Sequence, residues 1–402
     1  MEPKPTTIAT GTPGDLLRLI RSGEATTRAE LALTTGLARS TISQRIDSLA
    51  ANDWIKDDGE APSTGGRPPT VLGFNEHAGT VLVGDVGATH SRVALANLGG
   101  EILAETTADI EIASGPEHVL EWVEEAFRRL LGGIAEPLGN LVGIGIGLPI
   151  RVEFAEGRPV SPPITPGPPI TPGWDGYDVR GRFADHFHVP VLVDNDVNIM
   201  ALGEYWAMPS KVADFVFVKV GTGIGSGLIL GGDIHRGAQG IAGDIGHIPI
   251  AGFDAVCRCG NRGCVESVAG GAALAQQLAA IGKDTAVSRD VVELLRGGDP
   301  DASQAVREAG RLLGRVLAGA VNLLNPAMIM IGGDIAEAGD ELIAGVREVV
   351  YRRSTTLATN ALGITSATLG DRAGVVGAAA MVIEHVLDPA SIDAALAADA
   401  IA

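Results

Sequence analysis

The sequence predicts an α/β protein in which an N-terminal winged helix-turn-helix is followed by a two-lobed α/β domain built around glycine-rich phosphate loops. Three observations carry this. Short capped helices surround a glycine turn within the first 50 residues; a strand, Gly-loop, strand unit appears twice; and the composition pairs 55 Gly with only 4% aromatics in 402 residues, so that tight backbone turns are common. At roughly 150 residues per domain the length corresponds to two or three domains. The expected boundaries are 1–75 for the winged helix, 76–196 for a first lobe and 197–402 for a second, with a last helix at about 373–387 packing back on the first lobe.

Thr12 precedes Pro13, a cap followed by proline at the first helical position, and Leu16, Leu17 and Ile20 recur at helical spacing. Thr27 and Glu30 form a capping box that opens a second short helix, and Gly36 supplies the turn. In the third helix Ile42, Ile46, Leu49 and Ala50 form one buried stripe, which leaves Arg39, Ser40, Thr41, Ser43, Gln44 and Arg45 outside to meet base edges in a major groove. Trp54–Lys56 and Thr70–Leu72 pair as strands around Ser63–Pro69, a wing that carries Arg67 to a minor groove or phosphate. The competing reading is a three-helix bundle for protein contacts.

Charge bounds the partners. With 30 basic and 49 acidic residues the net charge is -19, which excludes non-specific coating of nucleic acid or of an anionic membrane as the role of the whole molecule. Residues 1–75 hold 8 basic and 9 acidic residues, so DNA would be bound through geometry and a few placed cations. Met1–Gly11 lacks the basic start and apolar run of a signal peptide. The longest uncharged apolar stretch, Leu141–Ile150, is far short of the ~20 residues of a membrane helix. The expected location is the cytoplasm, with no membrane partner.

In the remaining chain, Thr80–Asp85 reads as a buried strand, Val86–His90 as a turn, and Arg92–Asn97 and Glu101–Thr106 as return strands; a helix (Pro116–Leu131) and the strand Leu141–Leu148 follow. Asp214–Val220, the loop Gly221–Gly227 and the strand Leu228–Leu230 repeat the design, and Gly231-Gly232-Asp233-Ile234 echoes Gly99-Gly100-Glu101-Ile102 at a distance of 132 residues. Either loop alone is an ordinary hairpin. Two at equivalent places would face each other and hold a polyphosphate through Gly87, Thr89, Gly221, Thr222, Gly223 and Gly225, with Asp85 on its magnesium. Between them Val191–Asp196 ends a strand in polar groups. Asp196 is placed to take a proton from a substrate hydroxyl and Asn195 to position it, the alternative being a cap for the helix Val197–Trp206.

The three cysteines, Cys257, Cys259 and Cys264, lie within eight residues as C-x-C-x4-C, with His247 ten residues upstream. Three thiolates and one imidazole make a closed, structural zinc site, whereas disulfide frameworks spread their cysteines across a secreted chain.

Together these motifs resemble the ROK family (repressor, ORF, kinase) over essentially the whole chain. The resemblance rests on Asp85-Val86-Gly87-Ala88-Thr89, Asn195-Asp196, Gly221–Gly227, Asp244-x-Gly-His247, the cysteine cluster with Glu266, and Gly332-Gly333-Asp334. It implies an actin-like (ribonuclease H-like) ATPase fold. Sugar would be bound between the lobes by Asn195, Asp196, Asp244, His247 and Glu266, with zinc on His247 and the three cysteines and Gly332 and Gly333 beside any nucleotide. The N-terminal winged helix is similar to the regulator branch. The resemblance therefore implies a sugar-responsive regulator, a repressor of carbohydrate genes, that binds operator DNA; a homodimer is expected because two winged helices would match a palindromic operator. The alternative is an ATP-dependent, magnesium-requiring sugar kinase carrying an extra DNA-binding domain, with Asp196 as its catalytic base. Two departures separate the branches: Ala88 stands where the kinases read a second Gly, and its methyl obstructs close approach of a phosphate to the backbone; Asp244 replaces the usual Glu and is shorter by one methylene.

Overall fold

The computed structural model describes residues 11–60, 68–133, 139–160 and 171–399. The winged helix begins with α1 (Pro13–Ser22), whose Thr12 and Asp15 side chains bond each other's backbone amides and whose end is closed by Gly23 at φ 73°. In α2 (Arg28–Thr35) the Thr27/Glu30 box does the same and Gly36 at φ 72° stops the helix. The third helix, α3 (Arg39–Ala51), buries Ile42, Ile46 and Leu49; Ala50, placed on the same stripe by its spacing, is exposed because the stripe is only wide enough for three positions. β1 (Ile55–Glu60) pairs antiparallel with β2 (Thr70–Phe74), with a bulge between Asp57 and Glu60. The wing tip with Arg67 lies outside the described residues.

The first lobe is a five-stranded sheet of β3 (Gly79–Val86), β4 (Ser91–Asn97), β5 (Ile102–Ala108), β6 (Asn140–Leu148) and β9 (Val191–Asn195), ordered β5-β4-β3-β6-β9. Helix α4 (Pro116–Gly133) crosses between β5 and β6; the hairpin β7 (Val152–Glu153) and β8 (Arg158–Pro159) and helix α5 (Val179–Phe187) lie between β6 and β9, and α6 (Asp196–Ala207) leaves β9 directly. β3 is buried along nearly its whole length because both faces are covered. Leu82 and Val86 face α4 and the fully buried Trp174, while Val81 and Val83 face the opposite layer.

The second lobe repeats this topology. β10 (Phe215–Val220), β11 (Ile224–Leu230) and β12 (Asp233–Ile234) form the antiparallel meander, and β13 (Met328–Gly332) and β14 (Gly363–Ser366) add parallel strands in the order β12-β11-β10-β13-β14. Between β12 and β13 run α7 (Glu266–Ala269), α8 (Gly271–Ala280), α9 (Ser288–Arg296) and α10 (Pro300–Leu324); α11 (Asp334–Glu337), α12 (Glu341–Arg353) and α13 (Thr356–Thr359) precede β14. β10 thus corresponds to β3, and β13 and β14 to β6 and β9.

After β14 the chain returns to the first lobe. α14 (Ala373–Val386) lies on β3, β6 and α6, and α15 (Pro389–Asp399) lies on α1. α6 and α14 cross so closely that a Cβ on Gly377 would stand 1.6 Å from the Ile199 carbonyl oxygen, and one on Gly203 2.1 Å from that of Ala373. The Glu204 carboxylate of α6 accepts from the Thr368 and Leu369 amides and the Thr368 hydroxyl, tying α6 to the loop between β14 and α14.

The winged helix is not closed off at residue 75. Leu16, Leu19, Ile42 and Leu49 share one continuous core with Val81 and Ala94 of the first sheet, Val375 and Val382 of α14, and Ile392 of α15. The Gly14 amide donates to Asp393 Oδ1 at 2.8 Å. The Arg21 guanidinium lies 5.6 Å from the Trp206 ring centroid and pairs with Glu384 at 2.8 Å. Among the described residues no single helix is long and apolar enough to cross a membrane; Gly370–Val386 and Pro389–Ala398 pass such a test only together, across a 61° bend.

Candidate functional site

The two lobes enclose a cleft of about 630 Å³ onto which both Gly loops, the end of β9 and the cysteine loop open. β9 ends here because Asn195 caps α6: its Oδ1 accepts from the Val197 amide at 3.0 Å, while its Nδ2 donates to the Ile150 carbonyl at 3.1 Å. The cap and cleft positions of Asn195 therefore coincide. Asp196 is almost fully buried; Oδ1 accepts from the Val197 amide and Oδ2 from Lys219 Nζ at 2.7 Å. Burial pushes the Lys219 ammonium toward neutrality, but Asp196 and Asp85 more than reverse this, so its pKa lies above the usual lysine value.

Three ion pairs cross from one lobe to the other around this point. Beside Asp196–Lys219, Arg151 follows β6 and donates to Asp244 Oδ2 at 2.5 Å, and Arg236 follows β12 and donates to the buried Asp194 at 2.8 Å while its guanidinium lies 3.6 Å from the Phe154 ring centroid. No sequence motif marks Arg151, Lys219, Asp194 or Arg236 as paired across a cleft. The signal the sequence carries is positional, since Lys219 precedes Gly221 as Asp85 precedes Gly87.

Glu266 reaches the second Gly loop, accepting from the Ile224 amide at 3.0 Å, and a Cβ on Gly223 would meet its Oε2 at 2.4 Å. A side chain at position 223 would therefore push the Glu266 carboxylate aside. Gly225 packs against Val197 of α6, and Gly87 is closed against His90, its amide donating to the His90 carbonyl at 2.8 Å. Ala88 and Thr89 are exposed at the tip of that turn. The Thr222 hydroxyl pairs with Ser288 at 3.2 Å, and the Gly221 and Thr222 carbonyls accept from the first amides of α8. Gly332 ends β13 against Phe217 and Ala367, and Gly333, at φ 89°, lies where a Cβ would strike the Val220 carbonyl. Asp85 lines the cleft; burial raises its pKa to about 6 against the opposing pull of Lys219, His90 and Arg92.

The ligand atoms of His247, Cys257, Cys259 and Cys264 all lie within 4.8 Å of one another. Cys257 Sγ is 3.5 Å from His247 Nδ1 and Cys259 Sγ is 3.7 Å from Cys264 Sγ. A tetrahedral ion with bonds of about 2.3 Å to sulfur and 2.0 Å to nitrogen has edges of about 3.8 Å and 3.5 Å, so these spacings and the donor set fit a metal ion. The turn is made by Gly260 and Gly263, both at positive φ. His247 Nε2 faces the other way, 3.8 Å from Asp244 Oδ1, so one imidazole serves both the cysteine cluster and the cleft. Burial pushes the Cys264 thiol up to about 12 and raises Cys257 as well; a bound cation reverses this.

On the winged helix, Arg39, Ser40 and Gln44 are exposed on α3, Thr41 and Ser43 are half-buried, and Arg45 is half-buried with Nη1 turned toward Gly11. The α3 face and the cleft are thus separate surfaces of one body.

The comparisons with known proteins agree with this arrangement. The chain is 29% identical over 386 residues to the xylose repressor of Caldicellulosiruptor bescii, covering 92% of this chain and 95% of that one. A crystal structure described as a ROK family transcriptional regulator, homolog of E. coli MLC protein, matches with a TM-score of 0.78 and 25% identity over 96% of this chain and 98% of that chain. A ROK family glucokinase from Streptomyces griseus, in complex with glucose and AMPPNP, matches with a TM-score of 0.63 and 26% identity, but over 75% of this chain and 98% of its own. The glucokinase leaves a quarter of this chain unmatched. The sequence pattern of the ROK family itself matches residues 82–385, from within β3 to the end of α14. Two lobes of repeated topology, a shared cleft and a histidine and cysteine cluster at its edge are thus matched by a family pattern spanning both, and the chain belongs to the ROK family.

Proposed function

We propose that the chain is a sugar-responsive, DNA-binding transcriptional regulator, a repressor of carbohydrate uptake or metabolism genes, which acts as a homodimer. The observation that carries this reading is the shared core: the α3 unit is built on the same hydrophobic cluster as the lobe whose β9 and α6 line the cleft. α6 begins at Asp196 in the cleft and, at 1.5 Å per residue, ends about 18 Å away, where Trp206 lies beside Arg21 of α1. A ligand that shifts α6 therefore moves the winged helix.

In this reading sugar hydroxyls are held by Asn195, Asp196, Asp244, Glu266 and His247 Nε2. Zinc on His247 Nδ1 and the three thiolates fixes the imidazole and the loop that carries it. Asp244 also pairs with Arg151, so a bound sugar would share that carboxylate with the arginine. Exposed Arg39, Ser40 and Gln44, with Thr41, Ser43 and Arg45, face operator DNA, and two winged helices in a twofold dimer match a palindromic site. Regulation requires the sugar to bind the DNA-competent and DNA-free states with different affinities.

The test is capture of source-genome fragments on the purified protein at stated salt, with Arg39→Ala/Gln44→Ala as control, followed by release with a panel of sugars. A recurring palindrome beside carbohydrate genes, lost in the control and released by one sugar, is the expected result. No enrichment with or without sugars would overturn it. The kinase reading is supported by the presence of Asp196 in the cleft; it requires sugar-dependent ADP release that disappears in Asp196→Asn.

A further inference from the structure

The repeated lobes put chemically opposite residues at one equivalent position. Asp85 is the penultimate residue of β3 and precedes Val86-Gly87; Lys219 is the penultimate residue of β10 and precedes Val220-Gly221. The registers match as well. Asp85 lies opposite Gly147 of β6, and Lys219 opposite Gly332 of β13, the corresponding strand. The duplication therefore turns one acid and one base toward the same cleft from opposite lobes, and both line it.

Lys219 bonds directly to Asp196 at 2.7 Å, and its positive charge acts across the cleft on Asp85, opposing the rise that burial gives the Asp85 pKa. A magnesium ion shared by these carboxylates and a nucleotide would need oxygen ligands in near-octahedral geometry at about 2.1 Å. The groups around Lys219 leave no place for it at Asp196 or at the second Gly loop. Asp196 Oδ2 is held by Lys219 and Oδ1 by the Val197 amide. The Thr222 hydroxyl is engaged by Ser288, and the Gly271 and Ala272 amides at the start of α8 are spent on the Gly221 and Thr222 carbonyls.

We propose that Lys219 is a resident counter-ion: its ammonium does the electrostatic work of a divalent cation between Asp85 and Asp196, so the cleft takes its ligand without magnesium and without nucleotide. This rests on reading the cleft as a ligand site. It assigns Lys219 a binding role, since a sugar that takes hydrogen bonds from Asp196 must share that carboxylate with the ammonium, and the pair also joins the two lobes.

The test uses the full chain and needs neither the sugar nor the operator, so its failure leaves the regulator reading standing and failure of fragment capture leaves this one standing. Thermal unfolding is followed for the wild type, Lys219→Met and the charge-balanced Lys219→Met/Asp196→Asn, with millimolar magnesium chloride or sodium chloride of equal ionic strength, and with Mg·AMPPNP. The expected result is a wild-type Tm indifferent to magnesium and to Mg·AMPPNP. Lys219→Met should have a lowered Tm that magnesium, but not sodium, restores by several degrees, and the double variant should be indifferent again. Two results overturn the proposal: Mg·AMPPNP stabilising the wild type and losing its effect in Lys219→Met, which would make Lys219 a phosphate ligand, or magnesium failing to restore Lys219→Met while the double variant unfolds like the wild type.

Discussion

Two glycine-to-alanine substitutions should have opposite signs, for reasons that only the packing supplies. In Gly377→Ala the new methyl would stand 1.6 Å from the Ile199 carbonyl oxygen, where an ordinary carbon–oxygen contact is about 3.3 Å. Relief requires α6 and α14 to separate by more than 1 Å, roughly, across a packed crossing, an overpacking that costs about 3 kcal/mol. With an unfolding entropy of about 2.1 cal/mol/K per residue, the 402 residues give about 0.8 kcal/mol/K, so the Tm should fall by about 4 °C. Gly319 lies inside α10 with no atom of the described residues within 4 Å of a built Cβ. There Gly319→Ala gains helix propensity of about 1 kcal/mol and should raise the Tm by about 1 °C. Differential scanning calorimetry of the two variants is the assay. A Gly377→Ala protein as stable as the wild type, or two shifts of the same sign, would refute the argument that α6 and α14 are held in backbone contact.

Further outcomes follow from the charged groups and the cysteine cluster. Asp85, with its pKa raised from 3.8 to about 6, binds its proton more tightly folded than unfolded, so it lowers stability as pH rises through that window. Relative to Asp85→Asn, wild-type stability should decline by up to roughly 3 kcal/mol between those values, at about 1.4 kcal/mol per pKa unit, and parallel denaturation curves at both ends would contradict the assignment. Treatment with a chelator should loosen the loop around Cys257–Cys264; addition of zinc at neutral pH should then release protons from the buried Cys257 and Cys264 thiols, read by calorimetry in buffers of different ionisation heat. Arg236→Ala leaves the buried Asp194 without its cation and should cost about 3 kcal/mol, most of it recovered in Asp194→Asn/Arg236→Ala by chemical denaturation. Arg21→Ala, which removes the contact with Trp206 and Glu384 but touches neither α3 nor the cleft, should leave operator affinity close to wild type and weaken sugar-induced release, measured by fluorescence anisotropy.

Local chemistry made much of the fold legible. The Thr12 and Thr27 caps, the glycines closing α1 and α2, and the stripe Ile42, Ile46, Leu49 are decided by interactions within a few residues, and the predicted helices lie where those signals put them. The echo of Gly99-Gly100-Glu101-Ile102 in Gly231-Gly232-Asp233-Ile234 marked a duplication that the two sheets repeat strand for strand. The C-x-C-x4-C spacing with His247 named the four donors that come together. Each of these signals is short in sequence or repeats itself, which is why it could be read.

The sequence by itself determined the two-lobed α/β architecture, the helix-turn-helix and the cysteine cluster. Only the tertiary structure decided that the winged helix shares its core with the first lobe through α14 and α15, elements some 300 residues away in the chain. The same holds for the pairs Arg151–Asp244, Arg236–Asp194 and Lys219–Asp196, whose partners are 93, 42 and 23 residues apart. The physical reason is one of range. Caps, turns and amphipathic stripes are fixed by neighbours along the chain, whereas an ion pair across a cleft depends on how two lobes are packed together, which no short stretch of sequence encodes.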